Sequence, residues 1–374
     1  MTPEPAMHAR NPLGRLGELG QSVWYDYITR DLLTSGRLHR LIREDGLRGM
    51  TSNPTIFEKA IAGSQLYDED IRRLNEQGKS PADIFETIAV ADVQAACDAF
   101  APLYLESGKR DGFVSLEVSP RLAQDSEATL QEARRLWKAL SRPNAMIKIP
   151  GTRGGLSAIA QAIAAGMNVN VTLLFSVERY AEVIEAFLRG LESRVERRLP
   201  IDSIASVASF FVSRVDGRID PQLDHRAESG LRGKIAIANA AVAYRTFRES
   251  QSTERWARLA DAGARAQRPL WASTSTKDPH YPDIYYVEAL VAPDTVNTVP
   301  PETLDAYRDH GRPAVRIDET IAAAPAQLTA LRNAGIDLSA VTRELEEDGV
   351  AKFAASYASV LSGIEAKAGT LATR

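Results

Sequence analysis

The chain has 374 residues, of which 44% are hydrophobic and 25% charged, so it can bury a large core as one large domain or two ordinary ones. Its net charge of −4, without any run of five like-charged residues, argues against a general surface for nucleic acid or anionic membranes. The single cysteine, Cys97, excludes an intrachain disulfide and is spaced to lie on the buried face of a helix.

The start of the chain carries no targeting signal that we recognise. Residues 1–10 are polar and contain proline, without the apolar segment of a signal peptide. No stretch reaches the roughly 18 apolar residues that span a bilayer, so we expect a soluble cytoplasmic protein with no membrane segment. The five histidines lack metal-binding spacing, so no metal site is expected.

Apolar strand candidates then alternate with amphipathic helical segments, a pattern that implies a parallel sheet. Eight strands favour a single (β/α)8 TIM barrel. A doubly wound sheet would usually carry GxGxxG after its first strand, and this chain has no such motif. The predicted strands are residues 23–28, 47–52, 113–118, 145–149, 168–174, 204–212, 269–274 and 294–299.

Two regions add helices to the simple alternation. The interval 53–112 predicts three helices, and Asn53 fits the N-cap of the first. Beyond residue 312 the strand pattern stops, and we predict helices broken around residues 324–325 and Gly335, the last covering the active site. The predicted divisions are an N-terminal tail (1–15), the barrel (16–312) and C-terminal helices packed on the barrel (313–374).

Lys148 lies in the apolar strand of residues 145–150. An inward-facing ammonium loses hydration, which lowers the pKa of a lysine and leaves a fraction of neutral amine that can attack a ketone. A lysine in a strand more often reaches solvent. However, Asp26, Glu117 and Asn170 interrupt three other apolar strands. Because buried polar groups are costly unless they are paired, we expect all four to converge on one site.

Six motifs follow one another along the chain: residues 23–26 (VWYD), 51–55 (TSNPT), 114–118 (VSLEV), 147–150 (IKIP), 168–176 (NVNVTLLFS) and 208–216 (ASFFVSRVD). In this order they resemble the motifs of the transaldolases, and the resemblance covers about residues 12–365. The resemblance implies a TIM-barrel enzyme that uses a lysine Schiff base and no metal or cofactor. It would move a dihydroxyacetone unit from sedoheptulose 7-phosphate or fructose 6-phosphate to glyceraldehyde 3-phosphate or erythrose 4-phosphate, in the non-oxidative pentose phosphate pathway.

The resemblance also implies a role for each matching residue. Lys148 would form the Schiff base, Asp26 and Glu117 would act as acid and base, and Thr172 would hold a water with Glu117. Arg214 would bind the phosphate. The substrate-binding residues implied by the match are Asn53, Asn170, Ser209, Phe211, Arg214, Ser273 and Lys277.

One position departs from the family pattern. Many transaldolases carry a second phosphate-contacting arginine after the seventh strand, where this chain reads LWASTSTK at residues 270–277. Lys277 lies two residues beyond the aligned position, so it either supplies that charge or is a surface lysine. The difference would change phosphate affinity more than chemistry, because the phosphate is remote from the reacting carbons.

Several alternatives remain open at this level. The chain could be an aldolase that releases free dihydroxyacetone, or a non-catalytic barrel that binds sugar phosphates. Glu117 could be a structural partner of Lys148, and Asp26 and Asn53 could simply cap helices. The glycine-rich residues 151–155 lack the end of a phosphate-binding P-loop and are interpreted mainly as a tight turn. We expect sugar phosphates as partners, without nucleic acid or membrane, and the sequence does not distinguish a monomer from a homodimer.

Overall fold

Eight parallel strands close into a barrel in chain order, in a computed structural model that describes residues 11–226 and 228–372. This confirms the predicted (β/α)8 fold, and every predicted strand end agrees with the observed one to within about two residues. The strands are β1 (Gln21–Asp26), β2 (Gly49–Thr51), β3 (Phe113–Glu117), β4 (Ala145–Pro150), β5 (Val169–Leu174), β6 (Ser206–Phe211), β7 (Arg268–Ala272) and β8 (Thr295–Val299).

The register of the strands brings their polar residues to one end of the barrel. All residues of β4 and β5 are buried, as expected for parallel strands covered on both faces. Glu117 pairs with Lys148, and Lys148 pairs with Asn170 on the next strand. Asp26 is the last residue of β1. Glu117 likewise ends β3, so Asp26, Glu117 and the paired Lys148 lie towards the C-terminal ends of the strands, where TIM barrels place their active sites, whereas Asn170 is the second residue of β5.

Sixteen α-helices and two short 3-10 helices lie in the described residues, and three of the α-helices separate β2 from β3, as predicted. They are α1 (Pro12–Glu18), α2 (Arg30–Thr34), α3 (Arg37–Glu44), α4 (Pro54–Ala62), α5 (Asp68–Glu76), α6 (Pro81–Glu106), α7 (Ser126–Leu140), α8 (Leu156–Ala164), α9 (Val177–Glu196), α10 (Ser213–Asp224), α11 (Ile235–Gln251), α12 (Glu254–Asp261), α13 (Tyr285–Ala289), α14 (Pro301–His310), α15 (Ile317–Asn333) and α16 (Leu338–Ala372).

Helix α6 is, among the described residues, the one helix with the length and composition of a membrane span. Its buried face includes Cys97, as predicted, and also Asp92, which is 1% exposed. The Asp92 carboxylate accepts hydrogen bonds from the Arg30 guanidinium and the Tyr67 hydroxyl. The helix packs against β3 and α7, so its apolar face is part of the barrel wall.

The C-terminal region corrects one prediction. Helix α15 runs through Pro325 without a break, so the predicted break at residues 324–325 is wrong. Proline removes one backbone hydrogen bond, but Pro325 is exposed while the neighbouring Ala324 is buried, and packing on α11 holds the helix together. The predicted break at Gly335 is confirmed, because α15 ends at Asn333 and Gly335 has a φ of 76°.

Helix α16 packs along α4, α5 and α6 and also reaches α10 and β5. Its close approach to the barrel depends on Gly349, where an added Cβ would lie 3.0 Å from Cδ2 of Leu173. Phe353, Val360 and Ile364 form its buried face. Of the predicted tail, residues 1–10 lie outside the described residues, and the division at residues 15 and 312 stays a prediction.

Candidate active site

Lys148 lies on β4 with only 6% of its side chain exposed. Its ammonium nitrogen Nζ is 3.1 Å from Oε2 of Glu117 and donates a 3.3 Å hydrogen bond to the carbonyl oxygen of Ser52. The ring of Phe353 lies beside it, with 5.5 Å between Nζ and the ring centroid. The amine is therefore held inside the barrel and does not reach bulk solvent.

Glu117 ends β3, and 3% of its side chain is exposed. Burial raises the pKa of the Glu117 carboxyl, and the positive charge of Lys148 opposes this only in part. Apart from the ion pair with Lys148, neither carboxylate oxygen has a hydrogen-bond partner in the described part of the chain. A carboxylate in this setting can take a proton from the amine and return it.

Thr172 lies on β5 and lines the same cavity as Lys148, and its hydroxyl oxygen is buried. No group of residues 11–226 or 228–372 makes a hydrogen bond to this oxygen. A buried hydroxyl without a partner is costly, so this oxygen is suited to bind water or a substrate hydroxyl.

Asp26 does not cap the following helix, because Thr29 is the N-cap of α2. Its Oδ1 accepts a 2.6 Å hydrogen bond from the hydroxyl of Thr51. Burial, the largest cause, raises the pKa of the Asp26 carboxyl, while the positive charges of Lys148 and Arg214 oppose the shift. The carboxyl is thus a stronger base than an exposed aspartate, and it lines the cavity that Lys148 also lines.

Asn170 is fully buried between two strands. Its Nδ2 donates a 3.0 Å hydrogen bond to Ser115, and its Oδ1 accepts a 2.7 Å hydrogen bond from the hydroxyl of Ser209. Ser209 lines the cavity, so Asn170 sets the orientation of a lining hydroxyl. Asn53 caps α4, accepting a 3.1 Å hydrogen bond from the backbone N–H of Ile56, and it lines the cavity as well.

Arg214, in the first turn of α10, brings a cation to the cavity. Its guanidinium carbon lies 5.1 Å from the ring centroid of Phe211, and this contact holds the guanidinium group in place. Burial lowers the pKa of Arg214, and the Asp26 carboxylate opposes that shift. The hydroxyls of Ser213 and Ser273 are 3.1 Å apart beside it, and Ser273 adopts a left-handed φ of 55°.

The cavity has a volume of about 770 Å³, within the range of small-molecule sites. All predicted site residues line it except Glu117 and Asn170, which contact the lining residues Lys148 and Ser209. Lys277 and Ser275 both line it, and the alignment of Ser275 with the second arginine of many family members stays a prediction.

Some lining residues were not predicted. Helices α4, α10 and α16 bring additional charged and aromatic side chains to the cavity, and Arg218 of α10 forms an ion pair with Asp348 of α16 across its mouth. The sequence predicts that the last helix covers the active site, but it does not indicate which side chains of that helix reach the cavity. The lining residues that sequence reasoning missed include Lys59, Arg218, Asp348, Lys352 and Phe353.

Comparison with known proteins identifies the family. The family model described as "Transaldolase/Fructose-6-phosphate aldolase" matches residues 23–364. The chain belongs to the transaldolase family. It is 49% identical over 359 residues to a transaldolase of Acidothermus cellulolyticus, covering 95% of this chain and 96% of the relative. It is 45% identical to transaldolase 2 of Nostoc sp., with 96% and 98% covered, and 48% identical to a transaldolase of Thermobifida fusca, with 95% and 97% covered.

The glycine-rich segment after β4 of this transaldolase-family chain is a packed turn. A Cβ added at Gly154 would lie 2.6 Å from the backbone oxygen of Gln124, so a larger residue would force the two loops apart. The hydroxyl of Thr152 donates to the backbone oxygen of Ala123 and accepts from the N–H of Gly155 at 3.1 Å. Arg153 is exposed and does not line the cavity.

Proposed function

We propose that the chain is a transaldolase of the non-oxidative pentose phosphate pathway, with Lys148 as the residue that forms the Schiff base. It moves a dihydroxyacetone unit from sedoheptulose 7-phosphate or fructose 6-phosphate to glyceraldehyde 3-phosphate or erythrose 4-phosphate. The observation that carries the proposal is the buried Lys148 amine, 3.1 Å from Glu117, in a cavity that also holds Asp26 and Arg214. A metal-free Schiff base needs this combination of an amine, a proton acceptor and a second base.

The first step is attack on the ketone. The Lys148 ammonium gives a proton to the Glu117 carboxylate, and the neutral amine adds to C2 of the ketose phosphate to give a carbinolamine. Glu117 then returns the proton to the C2 hydroxyl, which leaves as water, and a positively charged iminium remains on Lys148. The unpaired hydroxyl of Thr172 holds the departing water, and the raised pKa of Glu117 suits it to exchange a proton in both directions.

The second step breaks the C3–C4 bond. Asp26 takes the proton of the C4 hydroxyl, the bond electrons move into the iminium, and a three-carbon enamine forms while glyceraldehyde 3-phosphate or erythrose 4-phosphate leaves. The raised pKa of Asp26 makes it a base strong enough for a hydroxyl whose proton becomes acidic only as the bond breaks. In the reverse sense, protonated Asp26 returns the proton to the aldehyde oxygen of the acceptor as the enamine attacks it.

The phosphate of donor and acceptor lies at the Arg214 end of the cavity. The Arg214 guanidinium offers two parallel donors to a phosphate, and stacking on Phe211 fixes its plane. Lys277 adds a second positive charge in place of the arginine found in many family members. A phosphate bound there orients the carbon backbone of the sugar, so that C2 faces Lys148 and the C4 hydroxyl faces Asp26.

An aldolase that releases free dihydroxyacetone is the second candidate, because the matching family description includes fructose-6-phosphate aldolase. Both reactions share the enamine on Lys148 and differ in whether water or an aldose phosphate removes it. The names of the curated relatives favour transfer. The wall that α16 adds to the cavity also favours transfer, since a closed site protects a reactive intermediate from water.

Borohydride trapping tests the proposal. The protein is incubated with fructose 6-phosphate, reduced, digested and examined by mass spectrometry, with Lys148→Ala and the charge-preserving Lys148→Arg as controls. We expect a reduced dihydroxyacetone adduct on the Lys148 peptide alone, and we expect erythrose 4-phosphate added before the borohydride to remove the intermediate and abolish this adduct. An intermediate that water removes equally fast before reduction supports the aldolase. Binding of fructose 6-phosphate without any adduct supports a non-catalytic barrel and contradicts the proposal.

A cytoplasmic location is part of the proposal, because phosphorylated sugars are charged and do not cross a bilayer unaided. The partners are these sugar phosphates, without nucleic acid. Separation of cell extracts into soluble and membrane fractions, followed by the trapping assay on each, tests the location. Activity recovered mainly from the membrane fraction would contradict it.

A further inference from the structure

A second cavity, of about 320 Å³, lies at the opposite end of the barrel from the candidate active site. Phe113, Ser206 and Arg268, the first residues of β3, β6 and β7, line it. Met146 of β4 and Val207 of β6 add to its wall, and the rest comes from the loops that precede β3, β6, β7 and β8. Catalytic chemistry is not expected at this end of a TIM barrel, so its charges need a separate explanation.

The cavity has an excess of positive charge. Lys109, Arg110, Arg265 and Arg268 line it, and Asp294 is the acidic side chain of the described lining. Arg110 forms a 2.7 Å ion pair with Asp294. Arg268 forms a 3.0 Å ion pair with Asp111, which lies beside it in the loop before β3.

Two cations of this cavity have no carboxylate partner within residues 11–226 and 228–372: Lys109 and Arg265. A single hydrogen bond brings them together, because Nη1 of Arg265 donates to the carbonyl oxygen of Lys109 at 2.7 Å. The other guanidinium donors of Arg265 make no bond to a described residue, and Lys109 is exposed at the rim. The local charge left after pairing is therefore two positive charges, on loops that are held together.

The lowered pKa of the Arg268 guanidinium agrees with this excess of positive charge in the cavity. Arg268 is 6% exposed, and burial is the main cause that lowers the pKa of its guanidinium. The Asp111 carboxylate opposes the shift, but the neighbouring positive charge of Arg110 lowers the pKa further. A buried cation close to other cations is stabilised by an anion brought to the same cavity.

We propose that this cavity binds a small phosphorylated anion between Lys109 and Arg265. A phosphate monoester carries close to two negative charges at neutral pH, which matches the two unpaired cations, and its oxygens suit the fork of a guanidinium. The volume is at the lower limit for small-molecule sites, so it admits inorganic phosphate or a short phosphorylated metabolite. Nothing in the proposed sugar-transfer chemistry uses this end of the barrel.

Isothermal titration calorimetry at fixed ionic strength and about pH 8 tests the site. Because phosphate also meets the cations of the active-site cavity, the titrations use the background Arg214→Ala/Lys277→Ala. We expect this Arg214→Ala/Lys277→Ala background to bind about one inorganic phosphate per chain. The pair Lys109→Gln/Arg265→Gln should weaken this binding about tenfold or more, as expected for lost hydrogen bonds to a charged group. Arg265→Lys, which keeps the charge, should restore part of it.

The matched control is Arg134→Gln/Lys138→Gln, which removes two exposed positive charges from α7, away from both cavities. Its phosphate affinity should stay within about twofold of the background. Unchanged binding in the Lys109/Arg265 pair overturns the proposal, as does an equal loss in the control pair. Circular dichroism confirms that each variant is folded. Tighter binding of glycerol 3-phosphate than of inorganic phosphate identifies a phosphorylated metabolite as the ligand, whereas equal affinities identify free phosphate.

Discussion

Asp216 gives the sharpest test of the electrostatics around the candidate active site, because it lies on α10 two residues after Arg214. Its side chain is 1% exposed, and its carboxylate accepts hydrogen bonds from the backbone N–H of Ala236 at 2.7 Å and the hydroxyl of Tyr286 at 3.0 Å. Burial, the largest cause, raises the pKa of Asp216 from 3.8 to about 7, although the two hydrogen bonds oppose the shift.

A raised carboxyl pKa destabilises the fold at high pH. The folded protein keeps the Asp216 proton up to about pH 7, whereas the unfolded chain releases it near pH 4. The stability that this proton contributes is therefore fully present below pH 4 and is lost as the pH rises through about 7. A difference of about 3 pH units at 1.36 kcal/mol each amounts to roughly 4 kcal/mol.

The assay compares urea unfolding of the wild type and Asp216→Asn from about pH 4 to pH 9. Asparagine has no charge to develop, and its amide can still accept from Ala236 and contact Tyr286. We expect the stability of the variant relative to the wild type to rise by several kcal/mol across this range. Asp202→Asn, at an exposed aspartate, is the control and should show a nearly constant difference. A constant difference for Asp216→Asn as well would refute the reasoning.

Four further predictions concern the reaction. Asp26→Asn should slow turnover by about 10²- to 10⁴-fold yet still form the Schiff base, so borohydride should trap an uncleaved six-carbon adduct; a three-carbon adduct would contradict its role. Glu117→Gln should slow formation of the adduct itself by a similar factor, measured by rapid-quench trapping, and an unchanged rate would exclude it from proton transfer. Arg214→Ala should raise KM for fructose 6-phosphate about tenfold or more with a smaller effect on kcat, and an unchanged KM would contradict phosphate binding there. Phe353→Leu should speed the hydrolysis of the unreduced enamine intermediate on Lys148 when no acceptor is present, whereas Val360→Ala, which loosens the same helix away from the cavity, should not; the adduct that borohydride still traps after increasing delays measures this rate.

The sequence was sufficient to predict the barrel and the residues on its strands. Apolar runs of the right length and spacing identify buried parallel strands, and the structure confirms all eight. A polar residue inside such a run must face either the barrel interior or a helix. The sequence alone predicts that Lys148 lies near Glu117. Each is a charged residue in a buried strand, and two separately buried, unpaired charges would cost too much free energy.

Helix α16 shows what a sequence pattern cannot predict. Its periodicity indicates that Phe353 is on a buried face, but it does not indicate that the ring lies 5.5 Å from Nζ of Lys148. The position depends on Gly349, which lets the helix approach Leu173, and on the ion pair of Asp348 with Arg218. Both contacts join residues far apart in the chain. The break wrongly predicted near Pro325 has a similar cause, because packing on α11 outweighs a local preference.

The barrel has a buried ion pair at each end, and the hydrogen bonds around each pair explain why one has a structural role and the other suits a chemical reaction. Arg268 and Asp111 are paired at 3.0 Å, and both also bond the hydroxyl of Ser22, so the described chain leaves none of their buried atoms without a partner. Lys148 and Glu117 are similarly buried and 3.1 Å apart, but apart from this pair the Glu117 oxygens have no hydrogen-bond partner among the described residues. A pair whose polar atoms all have hydrogen-bond partners has one favoured protonation state, since a change of protonation would break one of those hydrogen bonds. A pair with unsatisfied oxygens gains when a proton or a substrate hydroxyl arrives, and this is the property that a Schiff-base site requires.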